Sequence, residues 1–323
     1  NVLGDLENLA YLLRSDSIYG RSESDIEVKD GKLVVDGVEI KFLQEKDPEH
    51  LPWGAMDVDI VMESTGFFTS YELAKKHLDG GAKRVVVSAP VKGDPEAAGV
   101  EGSTVLMGVN EDKLKTCQIT SNASCTTNAT SPVVGILKEA IGIEKAILNT
   151  VHAYTSTQSL VDGPNPKDMR KGRAAGLNII PSTTGAAVAT TQAHTDLEGR
   201  FDGIAMRVPV PIGSVVDITF VASRDTTVEE VNAALVKAAK DKRWSSIFTA
   251  TDEPLVSSDI VGARFGAIAD LSFTRVVGGN LVKVLAWYDN ETSYAHTLLK
   301  HIESVATTLK EDADAKKEEK EEK

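Results

Sequence analysis

The chain has 323 residues, 41% of them hydrophobic and 26% charged, with a formal net charge of −13. That length suits two domains better than one small one, and the negative field argues against nucleic acid as a partner. No apolar run approaches the roughly 20 residues of a membrane helix, and two cysteines give no disulfide framework, which fits a reducing cytoplasm.

The start, Gly4-Asp5-Leu6-Glu7-Asn8, is polar and carries no signal-peptide pattern. Residues 5–14 place Leu6, Leu9, Leu12 and Leu13 at helical spacing. Strand-like pieces over 25–29 and 32–35 flank Asp30-Gly31, a hairpin signal, and a second turn at Asp36-Gly37 leads into a strand over 38–42. A buried strand over 58–63 ends at Ser64-Thr65-Gly66, a helix over 70–77 stops at Gly80-Gly81, and a strand over 84–88 ends at Ala89-Pro90. Strands alternating with helices, with ligand-type residues at the strand ends, predict a doubly wound parallel sheet of Rossmann type. Ser64, Thr65, Gly66 and Ser88 are then cofactor-binding candidates. No G-x-G-x-x-G turn occurs in the chain, so the expected nucleotide domain lacks its first strand, its first helix and the pyrophosphate cradle.

A short strand over 116–120 leads to Ser121-Asn122-Ala123-Ser124-Cys125-Thr126-Thr127-Asn128, and a helix is predicted over 132–140. Cys125 therefore lies at a strand-to-helix junction, where free N–H groups and the helix dipole favour a thiolate nucleophile. Cys117 lies on the strand and reads as inert. The strand over 145–150 runs on to His152, which can face the thiol as its base. Beyond it, alternating strands over 217–221, 267–270 and 281–286 predict a mostly antiparallel sheet, so the second domain is α+β. A helix over 228–240 is capped by Thr226 or Thr227, and a long helix spans 289–307. Residues 167–173 are locally basic, and residues 311–323 are a low-complexity charged tail, disordered or a fraying helix.

The segments Ser121 to Asn128, His152 to Thr155, Asp162-Gly163-Pro164, Ile179 to Ala187, Ala205 to Pro209 and Trp287 to Glu291 resemble phosphorylating glyceraldehyde-3-phosphate dehydrogenase, in order over nearly the whole chain. The resemblance implies an oxidoreductase of glycolysis or its reverse, with Cys125 as nucleophile and His152 as base. An imidazolium at His152 would hold the thiolate before substrate arrives. Ser124, Thr126, Thr155, Lys171, Thr184, Gly185 and Arg207 would bind the substrate phosphate and inorganic phosphate. Asn290 would hold the nicotinamide carboxamide unless it is only a helix N-cap, and Lys46 would lie beside the adenine. It implies domains of 1–124 with 290–310 for NAD or NADP and 125–289 for catalysis, a loop over 160–181 near subunit contacts, a homotetramer, and neither a metal site nor a membrane or nucleic-acid partner.

Four positions depart from the family pattern. Val2 replaces an acidic residue that meets the cofactor ribose, and His194-Thr195 replaces a leucine-proline pair; both remove obstacles to a 2′-phosphate and point to dual or NADP-leaning use. Lys171 replaces an arginine, and Ala129 a second cysteine. The alternatives are an erythrose-4-phosphate dehydrogenase, a truncated non-catalytic paralogue, and a cysteine hydrolase; the last leaves Ser64 to Gly66 and Asn290 unexplained.

Overall fold

The computed structural model describes residues 1–321, with side chains described through residue 315. The chain divides into two compact units, Asn1–Asp59 with Lys76–Lys83, and Ile60–Lys75 with Arg84 onward.

In the first unit, α1 (Leu6–Arg14) starts at Asp5, whose carboxylate accepts the Asn8 N–H at 2.9 Å. Leu6 and Leu9 are half-buried, whereas Leu12 and Leu13 are 56% and 52% exposed. A two-stranded ribbon of β1 (Ser15–Asp16) and β2 (Gly20–Arg21) precedes a three-stranded meander of β3 (Ile26–Lys29), β4 (Lys32–Val35) and β5 (Val38–Ile40). Both expected hairpin turns form, with φ of 50° and 74° at Asp30-Gly31 and 51° and 79° at Asp36-Gly37. Two successive positive φ values are what a two-residue turn needs to match strand twist. Gly81 (φ 99°) lets the backbone approach Gly54, whose nitrogen lies 2.6 Å from where a Cβ would sit.

In the second unit, β6 (Ile60–Glu63) is followed by α2 (Tyr71–Asp79), β7 (Arg84–Val87), β8 (Gly102–Thr104) and β9 (Ile119–Ser121). The four strands form an all-parallel sheet in the order β6-β7-β9-β8, as the alternating pattern predicts. The last strand begins three residues later than the sequence suggests, because residues 111–115 form a 3-10 turn capped at Thr116. Next come α3 (Cys125–Ile141), β10 (Ile143–Ala153), β11 (Ile180–Thr183), α4 (Ala186–Ala193), β12 (Phe201–Val208), β13 (Ser214–Ala222), α5 (Val228–Ala238), β14 (Phe248–Thr251), β15 (Ala267–Val277), β16 (Leu281–Tyr288) and α6 (Thr292–Glu321).

Strands β10 to β16 build a seven-stranded sheet in the order β11-β12-β10-β13-β16-β15-β14. Only β10–β12 and β14–β15 pair parallel, so the sheet is mostly antiparallel as expected. Its inner face packs Val216, Ile218, Phe220, Val282 and Val284 against Val133, Leu137, Val231 and Leu235 of α3 and α5. Strand β13 alternates buried and half-buried residues along its whole length, the period of a sheet with one face in the core. Helix α6 lies on the parallel sheet, with Leu298 and Val305 against Val86, Val105 and Leu114. It continues through Glu321, so the charged tail is helical that far, and residues 322–323 lie outside the described chain.

Candidate active site

The site grows from the end of β9. Strands β6, β7 and β9 run parallel, so Ser64, Ser88 and the Asn122 to Cys125 turn all follow carboxyl ends on the same edge. Ala123 is fully buried and left-handed, with φ 54°, and the Tyr294 hydroxyl of α6 donates to its carbonyl at 3.1 Å. That kink lets Ser124 cap α3, accepting the Thr127 N–H at 3.2 Å, and makes Cys125 the first helical residue. The helix thus starts seven residues before the position Pro132 suggested. Residues Thr126 to Pro132 are all buried, and tertiary burial carries the helix through the proline.

His152 comes from the other side. Inner-face positions on β10 are Leu148, Thr150 and His152, all buried, and the last of these meets the thiol. Its Nε2 lies 3.5 Å from Cys125 Sγ, and its Nδ1 lies 2.6 Å from the Ala153 carbonyl. With its proton on Nδ1, toward that carbonyl, a neutral imidazole leaves the Nε2 lone pair facing the sulfur.

The parallel register of β10 and β12 sets Arg207 opposite His152. Arg207 Nη1 donates to the Ala153 carbonyl at 2.9 Å and to Thr155 Oγ1 at 3.5 Å, and it stands 2.9 Å from His152 Nδ1. Its Nε is buried and has no hydrogen-bond partner among the described residues. A half-buried cation with a buried, unmet donor beside a thiol and an imidazole has the chemistry of an anion site.

Burial first, and the Arg207 charge second, push the His152 imidazole down to about 4. Burial also pushes the half-buried Cys125 thiol up, outweighing the lowering pull of the Thr126 N–H and hydroxyl and of Arg207. The expected lowering by the helix start is present in direction but is exceeded. Burial thus opposes charge on both members of the pair, while the Arg207 charge favours a thiolate and disfavours an imidazolium.

Around the pair, Tyr288 is fully buried, and its hydroxyl lies 2.9 Å from Thr126 Oγ1 and 2.8 Å from Thr150 Oγ1. The sequence places it beside Asn290 but does not reveal this bridge. A tyrosine ending an alternating strand, whose buried hydroxyl needs partners, is the available signal. Asn290 Oδ1 accepts from Gly213 N at 3.1 Å and Ser214 Oγ at 3.0 Å, and Ser214 Oγ in turn accepts the Ala153 N–H at 3.1 Å. The helix cap belongs to the preceding residue, because Asp289 Oδ1 accepts the Glu291 and Thr292 N–H groups at 2.9 Å each. Asn290 is thus not the N-cap, and its side-chain oxygen is held by Gly213 and Ser214 instead.

The remaining candidates scatter more widely. Thr184 accepts the Ala186 N–H at 3.2 Å, and Gly185 is the N-cap of α4 with open space where a Cβ would be. Lys171 is half-buried in a 3-10 turn, its carbonyl accepting the Ser159 N–H at 2.9 Å. No hydrogen bond joins Thr184, Gly185 or Lys171 to Cys125 or His152 among the described residues. Thr65 N donates to the buried Glu63 carboxylate at 2.7 Å, Ser64 is exposed, and Gly66 has φ 75°. Lys46 and Val2 belong to the first unit and are exposed there. His194 is buried against α3, 3.1 Å from Ser131 Oγ, while Thr195 is exposed.

A family model described as "Glyceraldehyde 3-phosphate dehydrogenase, C-terminal domain" matches residues 124–290, and one described as "Glyceraldehyde 3-phosphate dehydrogenase, NAD binding domain" matches residues 1–71. The chain is similar to the glyceraldehyde-3-phosphate dehydrogenase of Clostridium acetobutylicum, 44% identical over 315 residues, which is 96% of this chain and 91% of the relative. It is also 47% identical over 301 residues to those of Streptomyces coelicolor and Geobacillus stearothermophilus, covering 93% of this chain and 87% of each relative.

Proposed function

The chain belongs to the glyceraldehyde 3-phosphate dehydrogenase family, and on that premise we propose that it oxidises glyceraldehyde 3-phosphate to an acyl phosphate through a thioester on Cys125. The single observation carrying this reading is the 3.5 Å approach of Cys125 Sγ to His152 Nε2, flanked by the unmet Nε of Arg207. Glycolysis or its reverse is the setting.

The residues divide the work as follows. The Cys125 sulfur bonds to the aldehyde carbon, the carbonyl pair moves to oxygen, and His152 Nε2 takes the thiol proton. The same nitrogen returns that proton to the alkoxide, giving the hemithioacetal hydroxyl, and takes it again as the hemithioacetal is oxidised. A phosphate oxygen then attacks the thioester carbon, the C–S bond breaks, and the sulfur leaves as thiolate beside the protonated His152. Arg207, with Thr155, Thr126 and Ser124, would hold one anion, and Thr184, Gly185 and Lys171 another.

The residues present also fit a nicotinamide dinucleotide. Ser64, Thr65, Gly66 and Ser88 line carboxyl ends of parallel strands, and Gly66 has open space where a side chain would stand. Asn290 has its oxygen fixed internally, which turns its amide donor toward a carboxamide ligand. When bound, that cofactor supplies the acceptor for the two electrons of the oxidation.

Residues 1–124 and 290–310 would serve the cofactor and 125–289 the chemistry, with Lys46 beside the adenine. Use of NADP as well as NAD is supported by Val2, which offers no carboxylate against a 2′-phosphate. His194 lends that reading nothing, being packed against Ser131. A homotetramer is supported by the outer face of the seven-stranded sheet, where Ile147 and Ile204 are 58% and 47% exposed. Opposite one another on that face, Asn149 and Asp217 each keep a buried oxygen without a partner among the described residues. Two unpaired cysteines support a cytoplasmic setting.

The test is reduction of NAD and NADP, separately, with glyceraldehyde 3-phosphate and inorganic phosphate. A rate that needs phosphate and is lost in Cys125→Ser is expected. Phosphate-independent oxidation, or turnover surviving Cys125→Ser, overturns the reading, and strong NAD preference removes its NADP part.

A further inference from the structure

Three contacts converge on the reactive pair from one side chain that the chemistry above does not use. The Tyr288 hydroxyl lies 2.9 Å from Oγ1 of Thr126, the neighbour of the nucleophile, and 2.8 Å from Oγ1 of Thr150, two residues before His152 on the same face of β10. The Tyr288 ring also meets the His152 ring edge-on, with centroids 5.9 Å apart and an interplanar angle of 73°. We propose that Tyr288 is a positioning residue, its hydroxyl tying the first turn of α3 to β10 so that Cys125 and His152 are held at reacting distance. This rests on the proposed thioester chemistry and adds the residue that sets its geometry.

The physical case is one of constraint. A hydroxyl on a fully buried ring has no water to exchange with, so losing either threonine removes a hydrogen bond that solvent cannot replace. Both threonines are themselves buried, and Thr150 Oγ1 also lies 3.4 Å from the Val215 carbonyl of β13. The bridge therefore spans α3, β10 and β16 and is anchored to β13. Thr126 is also the residue whose hydroxyl pulls the thiol toward ionisation, and the Tyr288 contact restrains where that hydroxyl sits. An enzyme loses rate steeply when reacting groups shift by an ångström.

The experiment compares Tyr288→Phe, Thr150→Val and the pair combined. Two readouts are used: steady-state kinetics, and the pH dependence of Cys125 alkylation by iodoacetamide. Tyr288→Phe is expected to lower kcat by about 5- to 20-fold with the aldehyde KM within about 2-fold. The alkylation midpoint should move up by roughly half to one pH unit. Thr150→Val should do the same, the double variant should lose little more than either single one, and Thr150→Ser should fall nearer the parent chain. A role confined to stability would lower Tm and leave the alkylation profile in place, and that result overturns the proposal, as do additive losses. Should Tyr288→Phe not fold, the Thr150→Val and Thr150→Ser pair decides alone. Alkylation needs no substrate, so a parent chain without turnover would count against the thioester reading and leave this test standing.

Discussion

His152 and Arg207 face one another across the parallel β10–β12 pairing and share one acceptor, the carbonyl of Ala153. That carbonyl accepts from the guanidinium and lies against the imidazole Nδ1. The positions of the imidazole and the guanidinium are therefore set by a single strand register.

The approach of His152 Nε2 to Cys125 Sγ sets the expected behaviour of His152→Asn. An amide cannot take a proton from the thiol, so kcat should fall about 10²- to 10⁴-fold with the aldehyde KM little changed. Steady-state kinetics check this, and a kcat close to that of the parent chain would remove His152 from the base role.

Arg207→Lys keeps the charge and loses the fork. With Nε buried and unmet, the geometry asks for two parallel bonds to an anion, which a lysine cannot supply. A loss of about 10- to 100-fold in kcat/KM is expected, at roughly 1.5–3 kcal/mol for a charged hydrogen bond. Phosphate titrations at fixed aldehyde would show it, and an unaltered phosphate dependence would place the anion elsewhere.

Acid should weaken the fold through buried histidines. His301 joins α6 to β9, with Nε2 2.8 Å from Thr120 Oγ1 and Nδ1 3.2 Å from Asn122 Oδ1. Burial pushes it down to about 4 from an ordinary 6.5. Between those values the unfolded chain binds the proton and the folded chain does not. The stabilisation is thus complete above pH 6.5 and is lost as pH falls toward 4, by up to about 3 kcal/mol for this group. His301→Gln should lower Tm at pH 7, and its deficit should shrink as pH falls. Parallel Tm curves would refute the assignment.

Ala123 sits at φ 54° with no exposed surface. A β-branched side chain is strongly disfavoured there, so Ala123→Val should cost about 2 kcal/mol or more and disturb the cap that begins α3. Calorimetry and Cys125 alkylation would both register it, whereas a wild-type Tm would mean that the turn relaxes freely.

The proposed assembly makes a prediction about Ile147 and Ile204. Replacing both with lysine puts charge on the outer face of the sheet, away from the inner-face thiol pair. Light scattering should then report a smaller species, and an unchanged mass would move the interface to another surface.

Much of this was legible in the sequence where local chemistry decides the backbone. Asp30-Gly31 and Asp36-Gly37 announce their turns because few residues tolerate two positive φ values. Thr227 announces the start of α5, its hydroxyl accepting the Glu230 N–H at 3.2 Å. Cys125 was legible because it stands between a strand and a helix, and His152 because it lies at a strand end. What was hidden depends on burial. Pro132 reads as a helix start and is instead an interior residue of α3, held by the core around it. The thiol was expected to be acidic from its place on the helix, yet the surrounding protein opposes ionisation. His194 reads as a cofactor-side substitution and is packed against Ser131. No spacing rule discloses that Tyr288 meets two threonines from distant segments.

The order of strands in the large sheet bears on how the protein is made. Strand β16 lies between β13 and β15 although it is the last strand in the chain. During synthesis, the segment carrying thiol and base emerges early and compactly, since only Gly142 separates α3 from β10. The sheet stays open in the middle until β16 is released and inserted, and that strand delivers Tyr288, with Asn290 two residues further on. A nascent chain can thus hold the reactive residues well before it holds them in working order. Premature termination just ahead of β16 would yield a polypeptide with a cysteine and a histidine but no brace between them.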